Sequence, residues 1–430
     1  MEVCRYGTVC AMRSQLATVG GLFVVAAIPR LIYLFVAAPS FDDWNWMLAT
    51  DLVRHGSLSV NGVKTTDFDP LYPVFLAGVR WIVGDRLVAA QVVQVLVASL
   101  GAVCLFRLAE ALTGRRRVAL LAAVLYALYP LLWRHSADGT DAALLTTLLI
   151  AFAYAFTTAR GAAGTAVAGL WLGLSILTRA ALLPLFPLAG AVMVAGGRRR
   201  EALGLLSALV VVAPFMLRNY ALNGSLVPTR SGINLFVLNS EYVLLPENSP
   251  DLLDRYAATI ATREGLDRVP PSPARDRMKN ELFKRLAFAE MRRHPLHTLR
   301  LMARNLRYFF SPRLVPYHQR THETRVVFGP DRTFRVEHSA PRLLSHQLAY
   351  SVPYAFVVVM MAAAFALRAA DIRRDAILWS IVLTFALVHM MYFPAARYRV
   401  PMEFVLLFYC ASGIEALARR RTTPESFAHV

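Results

Sequence analysis

Residues 38–73 read APSFDDWNWMLATDLVRHGSLSVNGVKTTDFDPLYP, and the rest of the chain is interpreted outward from them. The stretch follows one apolar span and holds Asp42, Asp43, Asp67 and Asp69 together with Trp44, Trp46 and Tyr72. Nearly everything else is either apolar sequence of bilayer length or a basic connection. Carboxylates and aromatic rings concentrated in one loop at the mouth of such a bundle mark the place where chemistry is expected.

Of the 430 residues, 57% are hydrophobic, too large a share for a soluble chain of this length. Several windows of about 20 apolar residues, each able to cross a bilayer, indicate a polytopic membrane protein. The formal charge of +18 rests on arginine. Those arginines cluster between apolar spans, where orientation in the membrane explains them better than a nucleic-acid surface does. Cys4, Cys10, Cys104 and Cys410 lack metal-ligand spacing, and no disulfide is expected. The first apolar run, Leu16 to Ala38, exceeds a signal-peptide core of about 7–15 residues and contains Arg30, so it reads as an uncleaved span.

Candidate spans fall at 16–38, 86–113, 118–134, 141–158, 162–178, 181–196, 202–217, 347–367, 375–393 and 400–417. Arginine clusters at 115–117, 198–200, 368–374 and 419–421 are each separated by an even number of spans, so all four can face the cytoplasm with both termini. The run 71–83 is too short to cross, since a span needs at least about 17 residues, and reads as an outer juxtamembrane or re-entrant helix. Outer connections are then 39–85, 134–141 and 218–346. Within the last, 246–273 reads as loop. The following 276–310 reads as helix broken at Pro295, with Leu282, Leu286, Met291, Leu299, Met302 and Leu306 at helical spacing among arginines. That pattern fits a basic amphipathic pair on a membrane surface as well as helices of a small soluble subdomain. The expected fold is an all-α membrane bundle of about ten transmembrane helices. Its parts are an N-terminal module 1–217, an extracytoplasmic region 218–346 and a C-terminal module 347–430.

Asp42 and Asp43 are the candidate catalytic residues. As an adjacent pair, one can stay ionised as a general base while the other orients a partner, although an Asp pair opening a helix also serves as its N-cap. Arg134, His135, Arg179, Arg218, Arg397 and Arg399 lie at outer ends of spans, where the positive-inside rule does not put them. Guanidinium forks suit phosphate oxygens, and snorkelling to headgroups is the alternative. Arg30 lies inside the first span and needs a partner or a functional reason. Asp141 either caps the next span or contacts substrate hydroxyls. Asp69, Tyr72 and Tyr398 complete the candidate substrate-binding set. His135 beside Asp138 is too sparse a pair to assign a metal; no cofactor is assigned, and a divalent cation stays open.

These residues sit in motifs that resemble the polyprenyl-phosphate-dependent GT-C glycosyltransferases, the superfamily of protein O-mannosyltransferases and the lipid A aminoarabinose transferase. The motifs are RLIYL closing the first span, DDWNWMLATDLVRHG, DPLYPVFLAG, LTRAALLPLFPL, PFMLRNYALNG, HPLHTLRLMARNLRYFF and RYRVPMEFVLL. The resemblance implies a GT-C-like bundle with juxtamembrane helices in the first outer loop. It implies Asp42 as catalytic base, Asp43 where the family often has Glu, and Asp141 near a second acidic position. It also implies a polyprenyl-phosphate-linked sugar as donor and a lipid, glycan or protein hydroxyl as acceptor, joined with inversion on the extracytoplasmic face of a bacterial inner membrane. No nucleotide motif is present, and no nucleic-acid partner is expected. Rival readings are an oligosaccharide ligase with a diphosphate carrier and a lipid or sugar transporter. Against the transporter, the candidate charges gather at one face rather than at the midplane.

Overall fold

The computed structural model describes residues 2–39, 41, 43–239, 250–312, 325–328, 334–337, 343–367, 369–392 and 394–422. After α1 (Glu2–Ala37) come α2 (Asp43–His55), the hairpin β1–β2 (Ser59–Val60, Val63–Lys64) and α3 (Leu71–Val83). The main bundle follows: α4 (Leu87–Thr113), α5 (Arg116–Leu128), α6 (Pro130–Ala137), α7 (Ala142–Thr158), α8 (Gly161–Thr178), α9 (Leu185–Ala195), α10 (Arg199–Ala202) and α11 (Ser207–Asn223). The long connection holds α12 (Ser231–Asn239), α13 (Pro250–Arg263), α14 (Pro273–Arg293), α15 (Pro295–Phe309) and the hairpin β3–β4 (Arg325–Phe328, Phe334–Glu337). The chain closes with α16 (Leu343–Ala366), α17 (Ala376–Met391), α18 (Ala396–Arg399) and α19 (Glu403–Thr422).

Among the described residues, six helical stretches are long and apolar enough to cross a bilayer: Gln15–Ala37, Leu87–Thr113, Gly161–Thr178, Arg199–Asn223, Leu348–Ala366 and Ala396–Arg420. The pair α5–α6, bent by 55°, makes a seventh, and Ala142–Thr158, Ala180–Ala195 and Ala376–Met391 are shorter apolar helices. These ten segments fall on the ten spans read from the sequence. The chain is a multi-pass membrane protein, and α3 forms a separate 13-residue helix at 71–83. One expectation changes. Residues 250–263, read as loop, are helical, and Ala257 of α13 is buried with Leu235, Phe236 and Phe283. The fold is all-α as expected, with two short hairpins among the described residues; Asn61 and Gly62, with φ of 52° and 80°, turn the first, because Gly and Asn tolerate the left-handed backbone that tight hairpins need.

In an apolar solvent the helices associate by close packing of small residues. On α8, Gly169 and Gly173 face α11 and the turn before it, with Thr165 one turn earlier. A methyl group on Gly169 would meet Ser207 Oγ at 2.1 Å, and one on Gly173 would meet Val211 Cβ at 2.7 Å. Buried hydroxyls within spans return their protons to the preceding turn. Ser99 donates to Val95 O (2.8 Å), Thr146 to Ala142 O (2.7 Å) and Thr384 to Ser380 O (2.8 Å).

Two arginines are wholly enclosed. Arg30 follows Pro29 in α1 and is completely buried. Its Nη2 donates to Tyr126 O at 3.1 Å, and its Nη1 to Ala127 O at 3.2 Å and Ala26 O at 2.7 Å. Pro130 has no N–H to give Tyr126 O, so the bend between α5 and α6 frees carbonyls that the guanidinium takes up. Arg399 is likewise buried, pairs with Glu403 Oε1 at 2.5 Å, and donates from Nη1 to Phe309 O and Ser311 O at 2.9 and 2.8 Å. Those carbonyls end α15, where a cation complements the helix dipole.

Two measurements check this packing. Gly173→Leu should lower stability by about 1–3 kcal/mol or more through overpacking. Gly190→Leu, where an added carbon meets nothing within 4 Å, should leave the melting temperature in detergent nearly unchanged. Arg399→Met should cost about 3–5 kcal/mol by leaving Glu403 buried and unpaired, and the Arg399→Met/Glu403→Met double variant should recover most of that loss. A double variant no more stable than the single one would mean that the stranded Glu403 charge is not what destabilises Arg399→Met.

Candidate functional site

The first long connection is fastened before it reaches α3. Asp51 Oδ2 accepts from Ser59 Oγ (3.0 Å) and from the Gly62 amide (2.8 Å), which shapes the hairpin. Beyond it, the Thr66 and Thr229 hydroxyls lie 3.0 Å apart. Asn223 Nδ2 donates to Thr66 Oγ1 at 2.6 Å, and the Thr229 hydroxyl donates to Asp67 Oδ1 at 2.6 Å. Asp276 of α14 receives the Thr65 hydroxyl at 3.0 Å and the Thr66 amide at 3.3 Å. Burial and then the neighbouring Asp67 raise the Asp276 carboxyl above its ordinary range, against the pull of those donors. Arg218 Nη2 donates to Leu58 O and Thr65 O at 3.1 and 3.2 Å. Arg218, a candidate phosphate ligand by sequence, thus ties loop carbonyls.

Held in this way, the chain delivers Asp69 to the end of the bundle. Its Oδ1 accepts from the Ala180 amide at 3.0 Å, just past the end of α8. The preceding residue, Arg179, forms a fork with Asp141, Nε to Oδ2 at 3.0 Å and Nη2 to Oδ1 at 2.6 Å. Asp141 occupies the N-cap position of α7, yet its side chain makes no capping bond. It is turned to Arg179 instead, which corrects the capping alternative. Arg179 is 9% exposed, and its Nη1 is buried with no hydrogen-bond partner among the described residues. The guanidinium also lies 5.2 Å from the Tyr398 ring centre. Arg397 lies 4.6 Å from the same centre and donates to the Tyr398 hydroxyl at 2.6 Å. His389 stacks on that ring at 4.9 Å and 18°. Burial raises the Asp69 carboxyl to about 7; the Asp141 charge adds to this, while the Ala180 amide and Arg179 oppose it.

Five sequence-selected residues therefore share one cluster: Asp69, Asp141, Arg179, Arg397 and Tyr398. They come from four separate stretches of chain. His135 and Asp138 form a second group nearby in sequence, Nδ1 to Oδ2 at 2.6 Å, with Asp138 Oδ1 also receiving the Thr140 hydroxyl at 2.8 Å. Burial alone would raise the Asp138 carboxyl, but His135 and Thr140 outweigh it and hold it below its usual range. Arg134 lies 6.0 Å from the Tyr350 ring centre. Phe41 packs over Gly139, where an added carbon would meet the ring at 2.4 Å. Asp42 lies outside the described residues, and Asp43 is the first residue of α2. Tyr72 is buried and donates to Gln94 Oε1 at 2.5 Å, and Gln94 in turn donates to Ser136 O at 3.0 Å. It joins α3, α4 and α6, while Arg30 and Arg399 hold the broken helices described above.

His389, stacked beneath Tyr398, is the site residue that sequence reasoning passed over; nothing in its spacing marks it. Among the described residues, no three His, Cys, Asp or Glu side chains converge as a metal site would require.

Comparison with known proteins adds resemblances, in sequence over part of the chain and in fold over most of it. Residues 67–217 match the model of the dolichyl-phosphate-mannose-protein mannosyltransferase family. In fold, the chain is similar to the apo oligosaccharyltransferase of Archaeoglobus fulgidus, with a TM-score of 0.53 and 16% identity over 94% of this chain and 51% of that one. The chain thus spans about half the length of that relative. ArnT of Cupriavidus metallidurans bound to undecaprenyl phosphate aligns with a TM-score of 0.41 and 14% identity over 93% of this chain and 78% of that one. The comparison with curated proteins found no match. Over 67–217 the sequence resembles the GT-C mannosyltransferase family, as the chain's motifs imply, and in fold the chain resembles the archaeal oligosaccharyltransferase over nearly its whole length.

Proposed function

We propose that the protein is a membrane glycosyltransferase that moves one sugar from a polyprenyl-phosphate donor to an acceptor hydroxyl on the extracytoplasmic face. The observation that carries this reading is the pairing of two guanidinium groups, Arg179 and Arg397, on one tyrosine ring. Asp141 matches the fork of the first through Nε and Nη2, and Nη1 of Arg179 has no hydrogen-bond partner among the described residues. Guanidinium groups gathered at one tyrosine ring suit an anionic ligand, and a phosphate oxygen is the natural one. The likeness of 67–217 to dolichyl-phosphate-mannose-protein mannosyltransferases supports a carrier-linked sugar. The arginines at the opposite end support the orientation: Arg116 there donates to Thr18 at 2.8 Å and Arg198 to Ala159 O at 2.6 Å.

In the proposed reaction Asp42 takes the proton of the acceptor hydroxyl as its oxygen attacks the anomeric carbon. The bond from that carbon to the phosphate oxygen breaks on the opposite side, with inversion, and the electron pair leaves on the phosphate. Arg179 Nη1 and Arg397 offset the charge gained there. Holding donor and acceptor in line contributes up to about 7–11 kcal/mol in favourable cases.

Purified protein in nanodiscs, given a radiolabelled polyprenyl-phosphate sugar, tests the proposal. Asp42→Asn should keep the protein folded and inserted while lowering transfer by about 10²–10⁴-fold. Near wild-type transfer in that variant removes Asp42 as base. Arg397→Ala should lower donor use by about 10²-fold, with acceptor dependence unchanged. Preference for a diphosphate carrier would favour an oligosaccharide ligase, and translocation without transfer would favour a transporter.

A further inference from the structure

Asp69 takes no part in the chemistry just described, although it lies beside it. The fork of Arg179 is fully matched by Asp141, so an ionised Asp69 is an additional negative charge where an anion is to bind. Its environment offers little compensation. From the end of α8 it receives one bond, the Ala180 amide, and it feels the charges of Arg179 and Asp141. From the other sides it faces a small recess between the end of α8, α11 and the 226–228 turn, and the other walls there, among them Ile176, Leu177, Leu183, Phe215, Met216 and Val227, carry no charge.

Resting on the phosphate reading of this cluster, we infer that the anionic donor headgroup and a proton bind together, the proton coming from solvent and residing on Asp69. Two negative groups beside Arg179, whose fork Asp141 already takes, repel each other with little screening, and protonating the Asp69 carboxyl removes that repulsion. The carboxyl is already raised to about 7 before any anion arrives, so the proton is available at neutral pH. A bound anion raises it further. Affinity is therefore highest below neutrality and falls as pH rises above it. By linkage the loss approaches tenfold in Kd per pH unit, until the value for the occupied site is passed. Asp69 in this role is a positioning residue that sets the charge of the pocket.

The probe is geranylgeranyl methyl phosphodiester, whose single charge is constant from about pH 5 to pH 9, titrated calorimetrically into the full chain in nanodiscs. Wild type should lose affinity about tenfold per unit above pH 7 and take up close to one proton at pH 8, read from two buffers of different ionisation heat. Asp69→Asn, whose amide oxygen can still accept from Ala180, should bind equally at all these pH values and take up no proton. If Asp69→Asn does not fold, Asp69→Glu should move the midpoint of the pH profile. Binding by wild type with a flat pH profile, or a slope retained in Asp69→Asn, overturns the inference and leaves the phosphate site standing. No binding by wild type at any pH overturns the phosphate reading itself and this inference with it.

Discussion

Arg179 and Asp141 meet as a two-pronged ion pair at the end of an apolar bundle, and the geometry around them follows from that contact. A guanidinium cannot shed its charge, so at the edge of hydrocarbon it needs a carboxylate, and the flat fork admits essentially one mutual orientation. That orientation fixes the end of α8 against the start of α7. It sets the Ala180 amide toward Asp69 and presents the face of Arg179 to Tyr398. Residues distant in sequence thus converge because one charge had a single acceptable partner arrangement.

Charges within apolar sequence play two roles here, and the backbone around them separates the roles. Arg30 and Arg399 spend their terminal N–H groups on carbonyls that irregular backbone leaves open, at the Pro130 bend and at the end of α15. Such carbonyls are costly in a medium without water, and an enclosed arginine meets several at once. Arg179 is turned instead to the Asp141 carboxylate and the Tyr398 ring. The presence of an arginine in a span is thus a weaker sign of function than the kind of group it is turned to.

Bilayer-length apolarity and arginine parity made the spans legible, and Pro295 marked the break between α14 and α15. The β1–β2 hairpin was also within reach, since Val60-Asn61-Gly62-Val63 carries the turn signal, but the acids and aromatic rings around it drew the reading toward chemistry. Helix α13 was hidden by flanking prolines that suggested loop. Partner choice was not legible. Asp141 alone at the head of a helix looks like a cap, and only the register of α7 against α8 gives it to Arg179. The same holds for Tyr72 and Arg218, whose residue types fitted a binding site and whose contacts turned out to be with Gln94 and with loop carbonyls.

The knot of Thr65, Thr66 and Asp67 with Asn223, Thr229 and Asp276 joins two connections that lie some 160 to 210 residues apart in the chain. Neither connection is then an independent cassette. A chimaera that imports the first loop from a relative without matching residues at the end of α11 and on α14 would carry unmet hydroxyls and a stranded carboxyl. Its Asp69 would also lose its tether. Divergence in these proteins should accordingly exchange both connections together, as one inherited block.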